Sequence, residues 1–531
     1  MIATIQLMVL LLIVIAAVAV VARRLAIPPA ILLVLTGVLL ALVPGLPEIE
    51  LEPKVVLLLV LPPVIYSSAV AMSWREFRFN LRPISLLAIG YVIFTTVAVA
   101  AATHWLLRFP WAVAFVLGAI VSPPDAVAPL SIARRMELPR RILVILEGEG
   151  LANDATALIL YRFAVAAVGA GVFSLSHAAE TFAAIIVGEV VWGIGIGWLM
   201  LRLRRWVQEP RIEILLSVLT PYLAYWPPEQ LGGSGVLAAV TTGLYISWNG
   251  LRLISAATRL QGIFFWDFLI YLIEGMVFLV TGLQARRLSI ESHSAGELIL
   301  SAVAVSAVVI VTRFVWMYPA TYIPRWIPAI ARKDPAPPWQ WPFVLAFTGV
   351  RGIVSLAAAL AIPFTTQSGE PFPFRDVILV LTFGVILITL VGQGLLLPVV
   401  IRALGLANAG RNERSINRTE EFKARREAIE AAIERLEQLA AERKIPADIV
   451  GPVRDYQHER RRRVIHRSDG DGPHAKLMEI RDDIELQLID AERKRINDLY
   501  RAGKLKDDGR RRIERELDLR EARLASVRAD E

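Results

Sequence analysis

Four charged or amide side chains lie close together in one otherwise apolar segment of the chain. Within residues 146–160 these are Glu147, Glu149, Asn153 and Asp154. A carboxylate near the centre of a bilayer is costly, so such residues usually face a cavity or a partner and mark an ion or proton pathway. On a helix Glu149 and Asn153 share a face, and Asp154 lies about 100° further round. One sector of a helix can therefore present two acids and an amide together.

A second segment, residues 121–129, reads Val-Ser-Pro-Pro-Asp-Ala-Val-Ala-Pro and places three prolines around Asp125. Proline lacks an N–H donor and clashes with a preceding carbonyl, so we expect this apolar span to be broken near its middle. Broken spans are where transporters expose carbonyls and helix ends to ions. The alternative is a kinked helix with Asp125 paired internally, although a kink alone does not require a charge.

A third segment places Arg351 between Gly349 and Gly352 in another apolar stretch. A buried guanidinium does not readily lose its proton, so it needs a carboxylate or a helix C-terminus as its partner. The acids available to it are Asp125, Glu147, Glu149, Asp154 and Glu274. Interrupted segments in two corresponding parts of a membrane chain indicate an inverted-repeat transporter with a site near the midplane.

The composition is that of a polytopic membrane protein. The chain has 531 residues, of which 55% are hydrophobic, and a mean hydropathy of +0.54. Its net charge of +8 does not indicate nucleic-acid binding, because about half of the charged residues follow Leu404, where acids and bases nearly balance. The chain has no cysteine, which excludes disulfides, thiolate metal sites and cysteine catalysis.

We expect an all-α fold with about 13 transmembrane helices, inverted repeats and two interrupted helices that cross at the midplane. Residues 1–405 form the predicted transmembrane domain, and residues 406–531 form a charged, helical cytoplasmic tail. The predicted spans are 2–22, 27–44, 55–71, 84–107, 112–133, 142–168, 179–201, 212–226, 231–247, 262–283, 294–318, 343–363 and 376–402.

Lys and Arg are much more frequent in one alternating set of loops than in the other. The loops with fewer basic residues contain only Lys54, Arg108, Arg286, Arg287 and Arg375. Because cytoplasmic loops carry the excess of positive charge, this bias predicts that the N-terminus is outside and the C-terminus inside. We expect the protein to be a multi-pass protein of the plasma (inner) membrane.

Several motifs in the same order resemble the cation/proton antiporters of the NhaP and mammalian sodium/proton exchanger branch. They are Ser-Pro-x-Asp-x-Val-Ala in the fifth span, Glu-Gly-Glu-x-Leu-x-Asn-Asp in the sixth and Val-Arg-Gly-x-Val-Ser-Leu-Ala in the twelfth. Leu-Pro-Pro at 61–63, Gly-Ser-Gly-Val at 233–236 and Val-Gly-Gln-Gly at 391–394 also fit. The resemblance covers residues 5–405.

This resemblance implies that Asp154 and Asp125 bind the transported cation, with Na⁺ held between them. It also implies that Asn153 maintains the architecture of the site. Glu149 is expected to pair with Arg351 and so to brace the sixth span against the twelfth.

The chain departs from the family pattern at three positions. Ser67 stands where the family often has Glu, Pro124 where it commonly has Thr, and Gly150 where it commonly has Ser. We expect the Ser67 hydroxyl and the Pro124 backbone carbonyl to remain as ion ligands, whereas Gly150 offers no side-chain ligand. Ser122, which opens the motif of the fifth span, belongs to the expected architecture of the site.

The function implied is secondary active antiport of Na⁺ for H⁺, with Li⁺ or K⁺ as alternative cations, for intracellular pH and cation homeostasis. All these cations accept carboxylate, carbonyl and hydroxyl oxygens as ligands. The neutral Asn153 beside Asp154 predicts electroneutral exchange. The resemblance further implies a homodimer in the lipid bilayer that needs no cofactor and is not an enzyme.

Two other classes of protein are weaker alternatives. An intramembrane aspartyl protease would require facing aspartates in a Gly-x-Gly-Asp setting, which Asn153-Asp154 lacks. An ion channel with a regulatory tail would favour a repeated pore loop or a ring of ligands from several subunits.

Further charges lie within the predicted spans. Glu189, Arg162 and Arg313 are expected to be paired for folding, and Glu147 to assist structure. Glu274 is expected to line a cytoplasmic funnel, to lie at a dimer contact or to form an internal hydrogen bond.

Overall fold

The computed structural model describes residues 2–44, 51–170, 175–207, 209–250, 253–287, 294–366, 369–468, 473–502 and 504–529. These residues form helices, connecting segments and one isolated β-bridge between Thr365 and Pro371, which confirms the all-α fold class. They divide into two compact units, Met1–Arg411 and Asn412–Glu531. The predicted domains include some residues outside the described ranges, and their predicted boundary falls at the start of the helix Leu406–Arg443.

The helices of the first unit follow the order of the predicted spans. They are α1 (Ile2–Leu25), α2 (Pro29–Ala41), α3 (Pro53–Ala71), α4 (Leu81–Leu107), α5a (Trp111–Val121), α5b (Val127–Arg135), α6 (Arg140–Ala170), α7 (Leu175–Val207), α8 (Pro210–Gln230), α9 (Val236–Gly250), α10 (Ala256–Leu283), α11 (Ala295–Tyr322), α12a (Gln340–Phe347), α12b (Ile353–Leu360) and α13 (Arg375–Ala403). Short helices at Trp74–Phe79 and Pro328–Lys333 lie in the connections.

Eight helices within the described residues are long and apolar enough to cross a membrane: α1, α3, α4, α6, α7, α10, α11 and α13. The other predicted spans fall on α8, which is long enough but less apolar, on the shorter helices α2 and α9, and on the interrupted pairs α5a/α5b and α12a/α12b. The exact number of membrane crossings therefore stays a prediction.

The two predicted interruptions are present, and they contact each other. Helix α5a ends at Val121, immediately before Ser-Pro-Pro, and α5b begins only at Val127. The backbone of the twelfth span is likewise non-helical between α12a and α12b. The Asp125 N–H donates a hydrogen bond of 2.7 Å to the Val350 carbonyl, so the two breaks meet where the interrupted helices cross.

Wider π-helical turns occur within three of the long helices, at Val56–Val60, Leu86–Tyr91 and Ile388–Gln393. Such turns rotate the side chains that follow them and are frequent at functional sites. The second and third place Tyr91 and Thr389 beside Arg351, at the crossing of the interrupted helices.

The second unit contains α14 (Leu406–Arg443, shared with the first unit by residue range), α15 (Ala447–Ser468), α16 (Pro473–Arg501) and α17 (Asp507–Ala529). Arg–Glu pairs join neighbouring helices, with Arg454 bonded to Glu437 at 2.6 Å and Arg493 to Glu521 at 2.7 Å. Ile429 of α14, Val450 of α15, Ile489 of α16 and Leu517 of α17 are buried. The unit is a helical assembly held by a small apolar interior and solvated ion pairs.

Candidate functional site

A cavity of about 420 Å³ lies against the break of the fifth span, between α3, α6, α10 and α12b. Ser67, Pro124, Asp125 and Asp154 all line it. The structure therefore brings together the four residues that sequence patterns assigned to cation binding, from three separate spans. Their role as ligands stays a prediction.

Asp125 occupies the junction between the two breaks. Its Oδ1 accepts a hydrogen bond of 2.9 Å from the Val127 N–H in the first turn of α5b. Its Oδ2 is buried and has no hydrogen-bond partner within the described residues. A β-carbon on Gly352 would overlap this same oxygen, so only glycine lets the second break approach Asp125 so closely.

Asn153 ties α6 to the break of the fifth span. Its Nδ2 donates to the Pro124 carbonyl at 2.6 Å, whereas its buried Oδ1 has no partner among the described residues. The Pro124 carbonyl retains a second lone pair, so this hydrogen bond leaves room for an ion at the same oxygen. The contact supports the predicted architectural role of Asn153.

Ser355 on α12b was missed by sequence reasoning. It lines the cavity, and its buried hydroxyl oxygen has no partner in the described part of the chain. Its place in the Val-Arg-Gly-x-Val-Ser motif was the available signal. Ser122, by contrast, does not line the cavity, and its hydroxyl donates to the Ala119 carbonyl of its own helix.

Gly150 also lines the cavity, and packing explains why no larger side chain stands there. A β-carbon at this position would lie 2.7 Å from the β-carbon of Ala126. Real β-carbons do not approach so closely, and neither group can rotate away. The absence of a side-chain ligand at this position is thus a consequence of tight contact between α6 and the break of the fifth span.

The predicted pairing of Glu149 with Arg351 is wrong. The Arg351 Nε donates to the Val121 carbonyl at 2.6 Å, another of its guanidinium nitrogens donates to the Gly349 carbonyl, and the third donates to the Tyr91 hydroxyl at 2.7 Å. Both carbonyls lie where a half-helix ends. Arg351 is fully buried, and its charge is balanced by two helix C-termini rather than by a carboxylate.

Glu149 is instead paired with Arg313 of α11. The two side chains form a bidentate bridge, with N–O distances of 2.6 and 2.8 Å, and their exposed fractions are 2% and 1%. The Arg313 guanidinium also lies over the Tyr91 ring, 4.9 Å from its centroid. The expectation that Arg313 is paired is confirmed, but its partner could not be identified from spacing because α6 and α11 are distant in the sequence.

Two further charged side chains within the predicted spans, Arg162 and Glu189, have hydrogen-bond partners away from the cavity. Arg162 bonds to Glu229 and to the Gly233 carbonyl, and Glu189 accepts the backbone N–H of Ser234 at 2.6 Å. The Arg162–Glu229 bridge confirms that Arg162 is paired, whereas Glu189 is satisfied by backbone N–H groups and the Ser234 hydroxyl rather than by a positive charge.

Acidic side chains dominate the polar part of the cavity wall. Asp267 and Glu274 of α10 line it together with Asp125 and Asp154, so Glu274 faces the cavity rather than an internal partner. Glu147 also lines it, but it is bonded at 2.7 Å to Arg134, the one basic residue among the described lining residues. The cavity is therefore strongly electronegative and suited to a small cation.

The family model described as "Sodium/hydrogen exchanger, transmembrane" matches residues 9–403. The chain belongs to the sodium/hydrogen exchanger family. This match spans the cavity and both interrupted helices, and it confirms the resemblance drawn from the motifs. The family is one of membrane transporters rather than enzymes.

Two relatives illustrate the range of similarity. An uncharacterized Na⁺/H⁺ exchanger of Mycobacterium tuberculosis is 35% identical over 514 residues, which cover 94% of this chain and 92% of the relative. The sodium, potassium, lithium and rubidium/H⁺ antiporter of Bacillus subtilis is 33% identical over 388 residues, covering 70% of this chain and 58% of the relative.

The fold is similar to that of a solved antiporter. The sodium proton antiporter MjNhaP1 from Methanocaldococcus jannaschii matches with a TM-score of 0.62 and 19% sequence identity, over 77% of this chain and 98% of that one. At this identity the likeness supports the fold of the membrane unit and carries nothing about the ions transported.

Proposed function

We propose that the chain is a secondary active antiporter that exchanges Na⁺ for H⁺ across the plasma membrane, with Li⁺ and K⁺ as alternative cations. The observation that carries this proposal is the electronegative cavity at the crossing of the two interrupted helices. Asp125 presents an unpartnered oxygen there, and Asp154 lines the same space. The buried arginines nearby are engaged by other groups, so they do not neutralise these acids.

A carboxylate in this cavity can be neutralised by a proton or by a cation. Burial disfavours its bare charged form, so the two ligands compete for the same group. If the cavity opens alternately to the two sides only when Asp154 is neutralised, the competition couples the two fluxes in opposite directions. Antiport then follows without any covalent chemistry.

The choice of cation rests on oxygen ligands. Ser67 and Ser355 contribute hydroxyls and Pro124 a carbonyl beside the two aspartates, and these are ligands suited to hard monovalent cations. The name of the Bacillus subtilis relative includes sodium, potassium, lithium and rubidium, which supports keeping K⁺ and Li⁺ as alternatives to Na⁺.

The first prediction concerns Asp154→Asn. We expect this variant to insert normally but to lose cation-dependent proton movement, because the amide can neither release a proton nor supply a charged ligand. The measurement is proton release in everted vesicles on addition of Na⁺, Li⁺ or K⁺ between about pH 6 and pH 9, a range around neutrality where a buried carboxylate can titrate.

The matched control is Asp376→Asn, since Asp376 lies at the start of α13 with its side chain 76% exposed. This control should behave like the unaltered chain in the same vesicles. Retained exchange in Asp154→Asn at comparable protein levels would contradict the assignment of the site.

The second prediction concerns stoichiometry. Because Asn153 is neutral and engaged by Pro124, we propose that Asp154 exchanges one cation for one proton and that no net charge moves. Reconstituted vesicles should then show cation-driven proton flux whose rate is unaffected by an imposed membrane voltage. A transport current driven by voltage would overturn this part of the proposal.

We also propose that the N-terminus lies outside, that the C-terminal unit is cytoplasmic and that two copies of the chain pair. The Lys and Arg bias of alternate loops supports the orientation, and the family resemblance supports the pairing. Cysteine labelling from either side of the membrane is straightforward, because the chain has no native cysteine.

A further inference from the structure

Three arginines converge on one carboxylate at the loop that precedes α12a. Arg141 Nη2 donates to Asp334 at 2.7 Å, Arg325 Nη2 donates at 2.8 Å, and Arg82 Nη2 forms a third bond to the same carboxylate. Arg82 lies in the first turn of α4 and Arg141 in the first turn of α6. Three chain segments therefore meet at this arginine cluster, formed by Arg82 of α4, Arg141 of α6, and Arg325 and Asp334 of the connection between α11 and α12a.

The cluster carries a net charge of about +2, because one carboxylate faces three guanidinium groups. Burial raises the pKa of Asp334, but the hydrogen bonds and charges of Arg141 and Arg325 outweigh it and hold the pKa below its usual range. Asp334 is thus ionised at neutral pH and still leaves an excess of positive charge. Its neighbours do not add a second acid, since Arg141 is otherwise bonded to the neutral Asn80.

The arginines retain capacity for a further acceptor. Within the described residues, Arg82 donates a side-chain hydrogen bond only from Nη2, to Asp334. Its Nε and Nη1 therefore remain available as donors. Its side chain is 28% exposed, and that of Arg141 is 23% exposed. Arginine forks of this kind bind phosphate groups through paired N–H donors.

The surface beside the cluster is apolar. A small cavity of about 40 Å³ is lined by the three arginines and by apolar side chains that include Leu86, Ile145 and Met317, from α4, α6 and α11. Trp326 and Trp339 are exposed on the adjoining segments. Tryptophans at the ends of spanning helices mark the interface between lipid and water.

We propose that the arginine cluster binds the phosphate group of an anionic phospholipid, with the rest of the lipid outside the small cavity, against the exposed Trp326 and Trp339. The excess positive charge accounts for the anion, and the exposed tryptophans at the membrane interface account for a lipid rather than a soluble phosphate. The bound lipid would brace the ends of α4, α6 and α11, which carry Tyr91, Glu149 and Arg313.

The test uses the purified full-length chain in a nonionic detergent and follows its thermal unfolding midpoint. Phosphatidylglycerol, phosphatidylcholine and inorganic phosphate are titrated separately. Phosphatidylglycerol should raise the midpoint, whereas phosphatidylcholine should not. Arg82→Gln should weaken the apparent affinity for phosphatidylglycerol by about tenfold, the effect of losing one charge-assisted hydrogen bond.

The matched control is Arg140→Gln, which removes an exposed arginine paired with Glu76 on the same side of the chain. It should change the affinity by less than about twofold, as expected for an exposed charge. If Arg82→Gln does not fold, Arg82→Lys serves instead, since it keeps the charge but loses the planar fork and should still bind more weakly.

Two results would overturn the proposal. One is equal stabilisation by phosphatidylglycerol in the unaltered chain and in the Arg82 variant that folds. The other is an increase in the unfolding midpoint that inorganic phosphate produces in full, with no further increase when phosphatidylglycerol is added. A lipid-dependent shift that depends on Arg82 and not on Arg140 supports the site.

Discussion

Arg351 and Arg313 are both fully buried, yet their charges are balanced in different ways. Arg351 satisfies the carbonyls that the broken helices leave free, and Arg313 shares two hydrogen bonds with Glu149. Tyr91 contacts both, through its hydroxyl and its ring. Arg351, Tyr91, Arg313 and Glu149 therefore form one buried network, rather than the single Glu149–Arg351 pair that was predicted.

The third prediction tests this network. Glu149→Gln leaves Arg313 as an uncompensated buried charge, so we expect a loss of about 3–5 kcal/mol in stability. The effect is measured as the change in the thermal unfolding midpoint, with the folded protein remaining after heating quantified by size-exclusion chromatography. The matched control Glu76→Gln breaks an exposed bidentate pair with Arg140 and should cost less than about 1 kcal/mol.

A double-mutant cycle separates the two possible partners of Glu149. Combining Glu149→Gln with Arg313→Gln should recover part of the loss, because both members of the pair are then neutral. Combining it with Arg351→Gln should recover less, because Glu149 does not contact Arg351 directly and the two are linked only through Arg313 and Tyr91. Strong coupling to Arg351 with none to Arg313 would restore the pairing that the motifs suggested.

Sequence reasoning identified the residues of the site better than their partners. The cost of burying a charge was enough to single out Asp125, Asp154 and Arg351. Nothing in the chain's local spacing indicates that α6 and α11 pack together, so the Glu149–Arg313 pair was not predictable. The alternative of a helix C-terminus for Arg351 was correct, whereas the carboxylate implied by the resemblance was not.

At the scale of elements, the ends of the two interrupted helices lie close to the two charged side chains at the crossing, Arg351 and Asp125. Arg351 lies at the C-terminal end of α5a and of α12a, whereas Asp125 lies at the N-terminal end of α5b and against the residue preceding α12b. The positive side chain thus meets negative helix ends, and the negative side chain meets positive ones. The crossing is stabilised without a direct bridge between the two charges.

The fourth prediction concerns Gly352→Ala. The added methyl group would overlap Asp125 Oδ2, so the crossing must open by a shift of one break. We expect a destabilisation of about 1–3 kcal/mol and a loss of cation-dependent exchange, because Asp125 leaves the cavity wall. Thermal unfolding and the vesicle assay measure the two effects.

The control is Gly392→Ala on α13, where an added β-carbon meets no atom within 4 Å. It should preserve both stability and exchange. Unchanged exchange in Gly352→Ala would show that the close approach of the two breaks is not needed for transport.

The breaks were predictable because proline and paired glycines interrupt a helix through local backbone physics. The π-helical turns that position Tyr91 and Thr389 were not, since their segments contain no comparable signal. Contacts between neighbouring spans determine where such π-helical turns form. The hydrophobic periodicity along one span carries no information about those contacts.

At the scale of the whole molecule, the family match and the cavity both belong to the first compact unit. The match ends at residue 403, and the unit extends to Arg411. The second unit has its own buried residues, including Val450, Ile489 and Leu517. Exchange and the C-terminal helices are therefore separable in principle.

The fifth prediction is that a chain ending after Arg411 inserts in the membrane and retains cation-dependent exchange, because the first unit contains the complete cavity and its supporting network. The vesicle assay, normalised to protein level, compares it with the full chain. Normal insertion with no exchange would show that the second unit is required for transport.

The contact between Gly150 and Ala126 has a consequence for changing ion preference by design. The family pattern that the motifs resemble has serine at the position of Gly150, and a hydroxyl there would add an oxygen to the cavity. Here a β-carbon at 150 would lie 2.7 Å from the Ala126 methyl group, so the two positions share one small volume. Installing that oxygen requires a paired exchange, with Ala126→Gly made before Gly150→Ser, and single-site libraries would never sample it.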